Sequence, residues 1–138
     1  MRGILATKIK KIFILIKMDC PFCNINKEKT RIIKEGKNVF VVFSNPRLVK
    51  GHLLVIPKRH VVKISELNAK EKKELFDTVI EFQEKILKKI SSGCDIRQNY
   101  RPFQKQGGLK VNHLHIHLLP REFEDELYQK CQINEKEI

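Results

Sequence analysis

The sequence is short of aromatic residues and of long apolar runs, and each shortage narrows the range of functions. Aromatic side chains make up 7% of the chain, and no strand combines them with basic residues in the manner of an RNA-stacking surface. The apolar run at residues 12–16 is too short for a membrane-spanning helix, and also short for the core of a secretory signal peptide. We therefore expect no stable membrane association, and nucleic-acid binding stays possible but unsupported.

Acidic residues and cysteines are also scarce. The chain has 28 Lys and Arg against 16 Asp and Glu, a formal net charge of +12. This balance favours anionic partners such as nucleotides, although a generally basic surface is the alternative. Two of the four cysteines form a Cys-Pro-Phe-Cys motif and two are isolated, unlike the dense, even pattern of a disulfide-rich secreted domain. A reducing compartment fits better, and we expect a cytoplasmic protein.

No repeat, low-complexity tract or linker divides the 138 residues, which is the size of one domain. Residues 1–17 hold five basic residues and no acidic one, and Met18 follows them. We interpret residues 1–17 as a basic arm or a mis-assigned start, with a membrane-surface arm as the alternative. The domain is expected at residues 18–121, and residues 122–138 are expected to form a charged tail, as a short helix or a mobile segment.

The pattern of apolar residues predicts an α+β fold. Asn68 and Glu71 form a capping-box signature before a long helix, in which apolar residues recur at helical spacing up to Ile90. Pro120 is expected to end the last strand. Strands before and after one helix indicate an antiparallel sheet with helical cover, and a shorter helical segment near the C-terminus. Five strands are predicted, at residues 30–34, 39–43, 52–57, 95–100 and 111–119.

Three of the five histidines alternate with apolar residues near the C-terminus, at positions 113, 115 and 117. Because side chains alternate faces along a strand, His113, His115 and His117 share one face while Leu114 and Ile116 face the core. Histidine is the side chain that exchanges protons or binds metal near neutral pH. The pattern indicates a chemical site, and a solvent-exposed face that is merely rich in histidine is the alternative.

Three motifs together give the chain a resemblance to the histidine-triad family. The segment at 113–119, His-Leu-His-Ile-His-Leu-Leu, matches the family's signature of three histidines that alternate with apolar residues. Residues 51–60, Gly-His-Leu-Leu-Val-Ile-Pro-Lys-Arg-His, match a second motif, and Cys-Pro-Phe-Cys at 20–23 opens many bacterial members. Order and spacing also agree. The chain resembles the bacterial-type branch with an N-terminal Cys-x-x-Cys zinc site, over about residues 20–121.

The resemblance implies the HIT-like fold, a two-fold homodimer and a catalytic role for the middle histidine, here His115. In the family this residue attacks the α-phosphate of a nucleotide; a neutral imidazole nitrogen can form such a nucleotidyl-histidine, which water or another acceptor resolves. His117, on the same face, is placed to contact phosphate oxygens. By the same resemblance His52 orients the ring of the nucleophile, and a plain core histidine is the alternative. The long apolar stripe at residues 75–90 also favours a dimer.

The family pattern also implies a structural zinc site. It completes the pair Cys20 and Cys23 with His60 and His113, and a closed set of four ligands leaves no open position for catalysis. A redox pair or an unliganded pair is the alternative, because both use the same Cys-x-x-Cys spacing.

The expected substrate contacts depart in part from the family. Phe22 matches an aromatic residue that stacks on the base, and Ser44 stands where many members have a ribose-binding aspartate. Asn99 is a candidate match for a phosphate-binding asparagine. Lys110 stands where polar residues usually contact phosphate, and it either supplies charge to the phosphate or points to water. These departures leave the base preference open.

We therefore expect a nucleotide-binding hydrolase or transferase that acts at the α-phosphate of phosphoramidates, adenylates or dinucleoside polyphosphates. The alternative is a non-catalytic, zinc-stabilised module that binds nucleotides or nucleic acid. The intact triad around His115 favours the enzyme. The leaving group and the physiological substrate do not follow from the sequence.

Overall fold

The computed structural model describes residues 10–11, 20–103 and 112–130. It confirms the predicted α+β class, with a five-stranded antiparallel sheet, one long helix and shorter helical segments. No helix within these residues is long and apolar enough to cross a membrane. The elements are β1 (Ile32–Glu35), β2 (Val39–Phe43), β3 (Leu53–Pro57), a 3-10 turn (Ile64–Glu66), α1 (Ala69–Lys89), β4 (Gly93–Arg97) and β5 (Ile116–Arg121), followed by a helical turn at 126–130.

The sheet has the strand order β1-β2-β3-β5-β4, and every neighbouring pair is antiparallel. The last strand is therefore inserted between β3 and β4. Within β5, His117 lies opposite Leu54 of β3 on one side and opposite Arg97 of β4 on the other. This order places the end of the histidine motif on an interior strand, next to the edge strand β4.

The two faces of the sheet pack differently. One face packs against α1, through side chains such as Val41, Val55 and Leu118. The other face carries a second apolar cluster formed by Phe40, Val42, Leu54 and Ile56. Since side chains alternate along each strand, His117 projects on this second face, away from α1. The face opposite α1 is therefore the one on which the site is built.

The start of α1 is joined to the loop after β3. Asn68 accepts a hydrogen bond from the Glu71 backbone N–H, and the Glu71 carboxylate accepts one from the Asn68 N–H, both at 2.9 Å, so the predicted capping box is present. Arg59 donates to both carboxylate oxygens of the buried Glu71, at 2.8 and 3.0 Å. These bonds hold the residue that precedes His60 against the helix.

Strand boundaries differ from the prediction at the C-terminal end of the domain. β4 begins at Gly93, two residues early, and ends at Arg97. β5 begins only at Ile116, so the two preceding histidines lie in a segment without strand pairing. Pro120 does not end β5, which continues to Arg121. Since the last β3–β5 partners are Leu53 and Leu118, the missing N–H of Pro120 removes no ladder bond on that side.

Candidate active site and metal centre

The four predicted metal ligands lie together at one end of the sheet. Their ligand atoms, from Cys20, Cys23, His60 and His113, all lie within 4.8 Å of one another. The His113 Nδ1 is 3.3 Å from the Cys20 Sγ and 3.2 Å from the His60 Nδ1, and the Cys23 Sγ is 3.2 Å from that His60 nitrogen. Tetrahedral zinc with sulfur and nitrogen ligands has ligand separations of roughly 3.3–3.8 Å. The cluster therefore has the dimensions of a metal site.

The ring of His113 is held in the orientation that metal binding requires. Its Nε2–H donates to the backbone carbonyl oxygen of Pro57 at 2.7 Å, so the neutral ring keeps its lone pair on Nδ1, the nitrogen that faces the thiols. Cys20 and His113 are buried, whereas Cys23 and His60 are half-buried. A metal here would join the segment at 20–23 to the loop after β3 and to the histidine segment.

His115 is buried and presents one nitrogen to the open side of the site. Its Nδ1–H donates to the backbone carbonyl oxygen of His113 at 2.8 Å, so the neutral ring carries its lone pair on Nε2. Burial lowers the pKa of His115 below the ordinary value of 6.5. Near pH 7 the ring is therefore neutral, with a fixed tautomer and an available nitrogen.

His52 and His117 form a hydrogen-bonded pair whose proton positions follow from one backbone group. The Leu48 N–H can only donate, and it lies 3.2 Å from the His52 Nδ1, so His52 carries its proton on Nε2. That nitrogen is 2.9 Å from the His117 Nδ1, which must accept. His117 therefore carries its own proton on Nε2. His52, predicted to orient the ring of His115, thus forms its side-chain hydrogen bond with the neighbouring ring of His117.

Both rings of this pair are neutral near pH 7. Burial lowers the pKa of His52 to about 4 and that of His117 to about 3, and the positive charge of Arg97 adds to both shifts. The His115 and His117 ring centroids are 4.8 Å apart. The site thus presents an acceptor nitrogen on His115 beside a donor N–H on His117.

A pocket of about 430 Å³ opens beside these rings, a volume within the range of small-molecule sites. The ring of Phe22 lies 5.2 Å from that of His115 at an angle of 69°. Ser44 lines the pocket, but its hydroxyl donates to the Pro46 carbonyl at 2.9 Å, which leaves only its oxygen lone pairs for a ligand. The lining includes apolar Phe22, Ile25, Val42, Phe43 and Leu54, and polar Ser44, Asn45, His52, His115 and His117.

Asn99 is not among the residues that line this pocket; it borders a smaller crevice that shares His115 with it and also includes Asn112 and His113. The predicted phosphate contact Lys110 falls outside the described residues. Sequence reasoning missed Arg97, the cross-strand neighbour of His117. The predicted fourth strand already contained Arg97, but only the strand order shows which residue of β5 it faces.

Comparison with known proteins places the chain in a family. The HIT domain family matches residues 25–124. An uncharacterized HIT-like protein of Methanocaldococcus jannaschii is 35% identical, over 74% of this chain and 78% of its own length. Adenosine 5′-monophosphoramidase of Schizosaccharomyces pombe is 29% identical, over 78% of each chain. A zinc-bound histidine triad family protein from Mycobacterium smegmatis has a TM-score of 0.67 at 26% identity, over 80% of this chain and 81% of that chain.

These matches define a histidine-triad domain, and the chain belongs to the HIT family. Some relatives are much longer than the matched region. The chain spans 23% of the nitrilase and fragile histidine triad fusion protein of Drosophila melanogaster, at 33% identity. It spans 42% of an asymmetrical bis(5′-nucleosyl)-tetraphosphatase of Schizosaccharomyces pombe, at 32% identity over 56% of this chain.

Proposed function

We propose that the protein is a nucleotide hydrolase that attacks the α-phosphate of its substrate with the Nε2 of His115. The observation that carries this proposal is the pair of fixed tautomers. His115 offers a lone pair, His117 offers an N–H beside it, and a pocket of nucleoside size opens next to both. The nucleophilic nitrogen of His115 and the N–H of His117 that would donate to the phosphate are thus preorganised, and neither ring has to change its protonation state.

The reaction proposed for this site has two displacement steps. In the first, the lone pair on the His115 Nε2 forms a bond to the α-phosphorus, and the bond to the leaving group breaks with its electron pair on that group. A phosphate or carboxylate departs as the anion, whereas an amine takes up a proton from water as it leaves. In the second, a water oxygen attacks the same phosphorus, the P–N bond breaks, its electron pair returns to Nε2, and a water proton is released. The His117 Nε2–H donates to a non-bridging phosphate oxygen in both steps.

Relatives with nucleotide substrates support this assignment, since their names are those of a monophosphoramidase and a bis(5′-nucleosyl)-tetraphosphatase. A transferase would use the same intermediate with another acceptor in place of water. A hydrolase and a transferase are distinguished by the product: water gives a nucleoside monophosphate, whereas another acceptor stays bonded to the nucleotidyl group.

The test is a panel of nucleoside phosphoramidates, adenylates and dinucleoside polyphosphates, assayed in water enriched in ¹⁸O. Attack at the α-phosphorus places the label in the released nucleoside monophosphate, and His115→Ala is expected to remove the activity. Label in the other product would refute attack at the α-phosphate. If wild-type protein binds nucleotides but cleaves none, the function is that of a binding module instead.

For the metal cluster we propose structural zinc. Two thiolates and two imidazoles form a closed tetrahedral set, and a metal bound to all four has no position left for substrate. The zinc-bound relative supports this choice. Thiolate ligands require reduced cysteines, which agrees with a cytoplasmic location.

The zinc proposal predicts about one zinc per chain, lost in Cys20→Ser and kept in the control Cys94→Ser, because Cys94 lies in β4 and is not one of the four clustered ligands. Mass spectrometry of the native protein measures the metal content. The midpoint of thermal unfolding should fall further in Cys20→Ser than in Cys94→Ser, which loses only a partly buried contact with the core. Equal metal content in the two variants would contradict the assignment.

We also propose a two-fold homodimer formed through the outer side of α1. Exposed apolar side chains on this helix and at its C-cap form one stripe, because they are spaced by four, seven and three residues: Phe76, Ile80, Leu87 and Ile90. Ile96 of β4 is exposed as well. These side chains are 41–59% exposed, and an exposed apolar stripe of this kind is suited to a second copy of itself. Light scattering should show a dimer at micromolar concentration that Ile80→Asp dissociates, whereas a wild-type monomer would contradict the proposal.

A further inference from the structure

Arg97 lies at the end of β4 on the face of the sheet that carries the site. It is the direct cross-strand partner of His117, and directly opposed residues of an antiparallel pair project to the same face, with Cβ atoms about 4.5–5.5 Å apart. Its neighbours along the strand agree with this, because Cys94, three residues earlier and thus on the opposite face, packs against the core beneath α1. The Arg97 side chain therefore leaves the sheet on the same face as the ring of His117, whose N–H we propose as a hydrogen-bond donor to phosphate.

The charge of Arg97 is only loosely paired. Its guanidinium is 3.4 Å from the Asp95 carboxylate, and the same oxygen is bonded by Arg121 at 2.6 Å. The Arg97 side chain is 43% exposed. Its positive charge also acts on His52 and His117. The guanidinium is thus close to the site and accessible to a ligand, and Asp95 is already held by another partner.

The site has opposite characters on the two sides of His117. On the β3 side lies the pocket, whose wall is formed by apolar side chains such as Phe22, Val42 and Leu54. On the β4 side stands Arg97. Lys29, a cation that lines the pocket itself, belongs to the segment before β1. A nucleoside placed in the apolar pocket brings its α-phosphate to His115 and His117, and the rest of the substrate then extends toward β4.

We propose that Arg97 binds phosphate groups of the leaving group, so that the protein prefers substrates whose leaving group is itself phosphorylated. This inference rests on the proposed function. When the bond from the α-phosphorus to the bridging oxygen breaks, that oxygen keeps the electron pair and departs as a phosphate anion, which the guanidinium stabilises. An amine leaving group, as in a phosphoramidate, instead needs a proton and gains nothing from Arg97. The predicted class is nucleoside and dinucleoside polyphosphates.

The test compares Arg97→Ala with Lys73→Ala, which removes the same unit of charge from an exposed position on α1. Steady-state kinetics on diadenosine tetraphosphate and on adenosine 5′-phosphoramidate measures selectivity, and calorimetry measures the Kd values of ATP and AMP. Arg97→Ala should lower kcat/KM for the tetraphosphate about tenfold to hundredfold, as expected for a lost charged hydrogen bond. The loss on the phosphoramidate should be at least tenfold smaller, and Kd should rise more for ATP than for AMP. Lys73→Ala should leave both ratios unchanged.

Equal losses on the two substrates would overturn the inference, because Arg97 would then act at the shared α-phosphate or through the ring of His117. Absence of any loss in Arg97→Ala would overturn it as well. Failure of the proposed function gives a different pattern. In that case the wild-type protein cleaves neither substrate. Tighter binding of ATP than of AMP that is lost in Arg97→Ala would still support the role of Arg97. Equal ATP-to-AMP Kd ratios in wild type and Arg97→Ala would refute that role.

Discussion

The proton position on His117 depends on His52, and two substitutions at this residue separate its two hydrogen bonds. His52 is 1% exposed; its Nδ1 accepts from the Leu48 N–H at 3.2 Å and its Nε2 faces the His117 Nδ1 at 2.9 Å. In His52→Asn the amide oxygen replaces Nδ1 and keeps the bond to Leu48. In His52→Gln the longer side chain places its NH₂ near the former Nε2 and keeps a donor for His117.

The expected effects follow from what each variant leaves unpaired. His52→Asn leaves the His117 Nδ1 without a partner and His52→Gln leaves the Leu48 N–H without one, both part-buried groups, so each variant should lower the free energy of unfolding by about 1 kcal/mol. Only His52→Asn removes the bond that fixes the tautomer of His117. The bond from His52 favours the His117 tautomer with its proton on Nε2, and its loss removes about 1.4 kcal/mol of this preference. We therefore expect kcat to fall about tenfold in His52→Asn and clearly less in His52→Gln.

The assays are urea unfolding, steady-state kinetics and ¹⁵N NMR of the histidine rings. In wild type and His52→Gln the spectrum should show His117 protonated on Nε2, and in His52→Asn a mixture of tautomers. If both variants fold, and kcat and the His117 spectrum are the same in both, the argument that His52 acts through the tautomer of His117 is refuted.

Two further predictions concern stability. The pKa of His52 is about 4 in the folded protein and near 6.5 in the unfolded chain, so the unfolded chain binds more protons between these pH values. The contribution of His52 to the free energy of unfolding should therefore fall by about 3 kcal/mol as the pH decreases from 6.5 to 4. Equal free energies of unfolding from urea titrations at pH 7.5 and pH 5 would contradict this prediction. Glu71→Gln weakens the pairing with Arg59 and should lower the free energy of unfolding in denaturant by about 2 kcal/mol. The control Glu84→Gln, on the exposed side of α1, should not change this free energy measurably. Equal effects of the two substitutions would contradict the role of the Arg59 pair.

Local patterns were sufficient to predict much of this molecule. The alternation of histidine with leucine and isoleucine predicted that the three rings share a face, and Asn68 with Glu71 predicted the start of α1, because both depend on residues close in sequence. The four clustered ligands were also predicted, since family motifs fix residue types at set spacings.

What the sequence did not predict depends on contacts between distant segments. The bond of His52 to His117, and the position of Arg97 beside that ring, both require β5 to lie between β3 and β4. Strand order of this kind is not encoded in any local period. The continuation of β5 through Pro120 has the same origin, because it depends on the pairing of Pro120 with Cys94 of β4 and on a register with β3 that ends at Leu118.

The central claim is that the Nε2 of His115 becomes covalently bonded to the α-phosphorus. Wild-type protein is mixed with an excess of a nucleotide that it cleaves, quenched in alkali after a single turnover and analysed by intact-mass spectrometry. Its mass should increase by that of one nucleoside monophosphoryl group. Because a phosphorus–nitrogen bond to histidine is labile in acid, the added mass should disappear at low pH, and peptide mapping should place it on His115. Turnover without any adduct on this residue, or undiminished turnover in His115→Ala, would contradict the account.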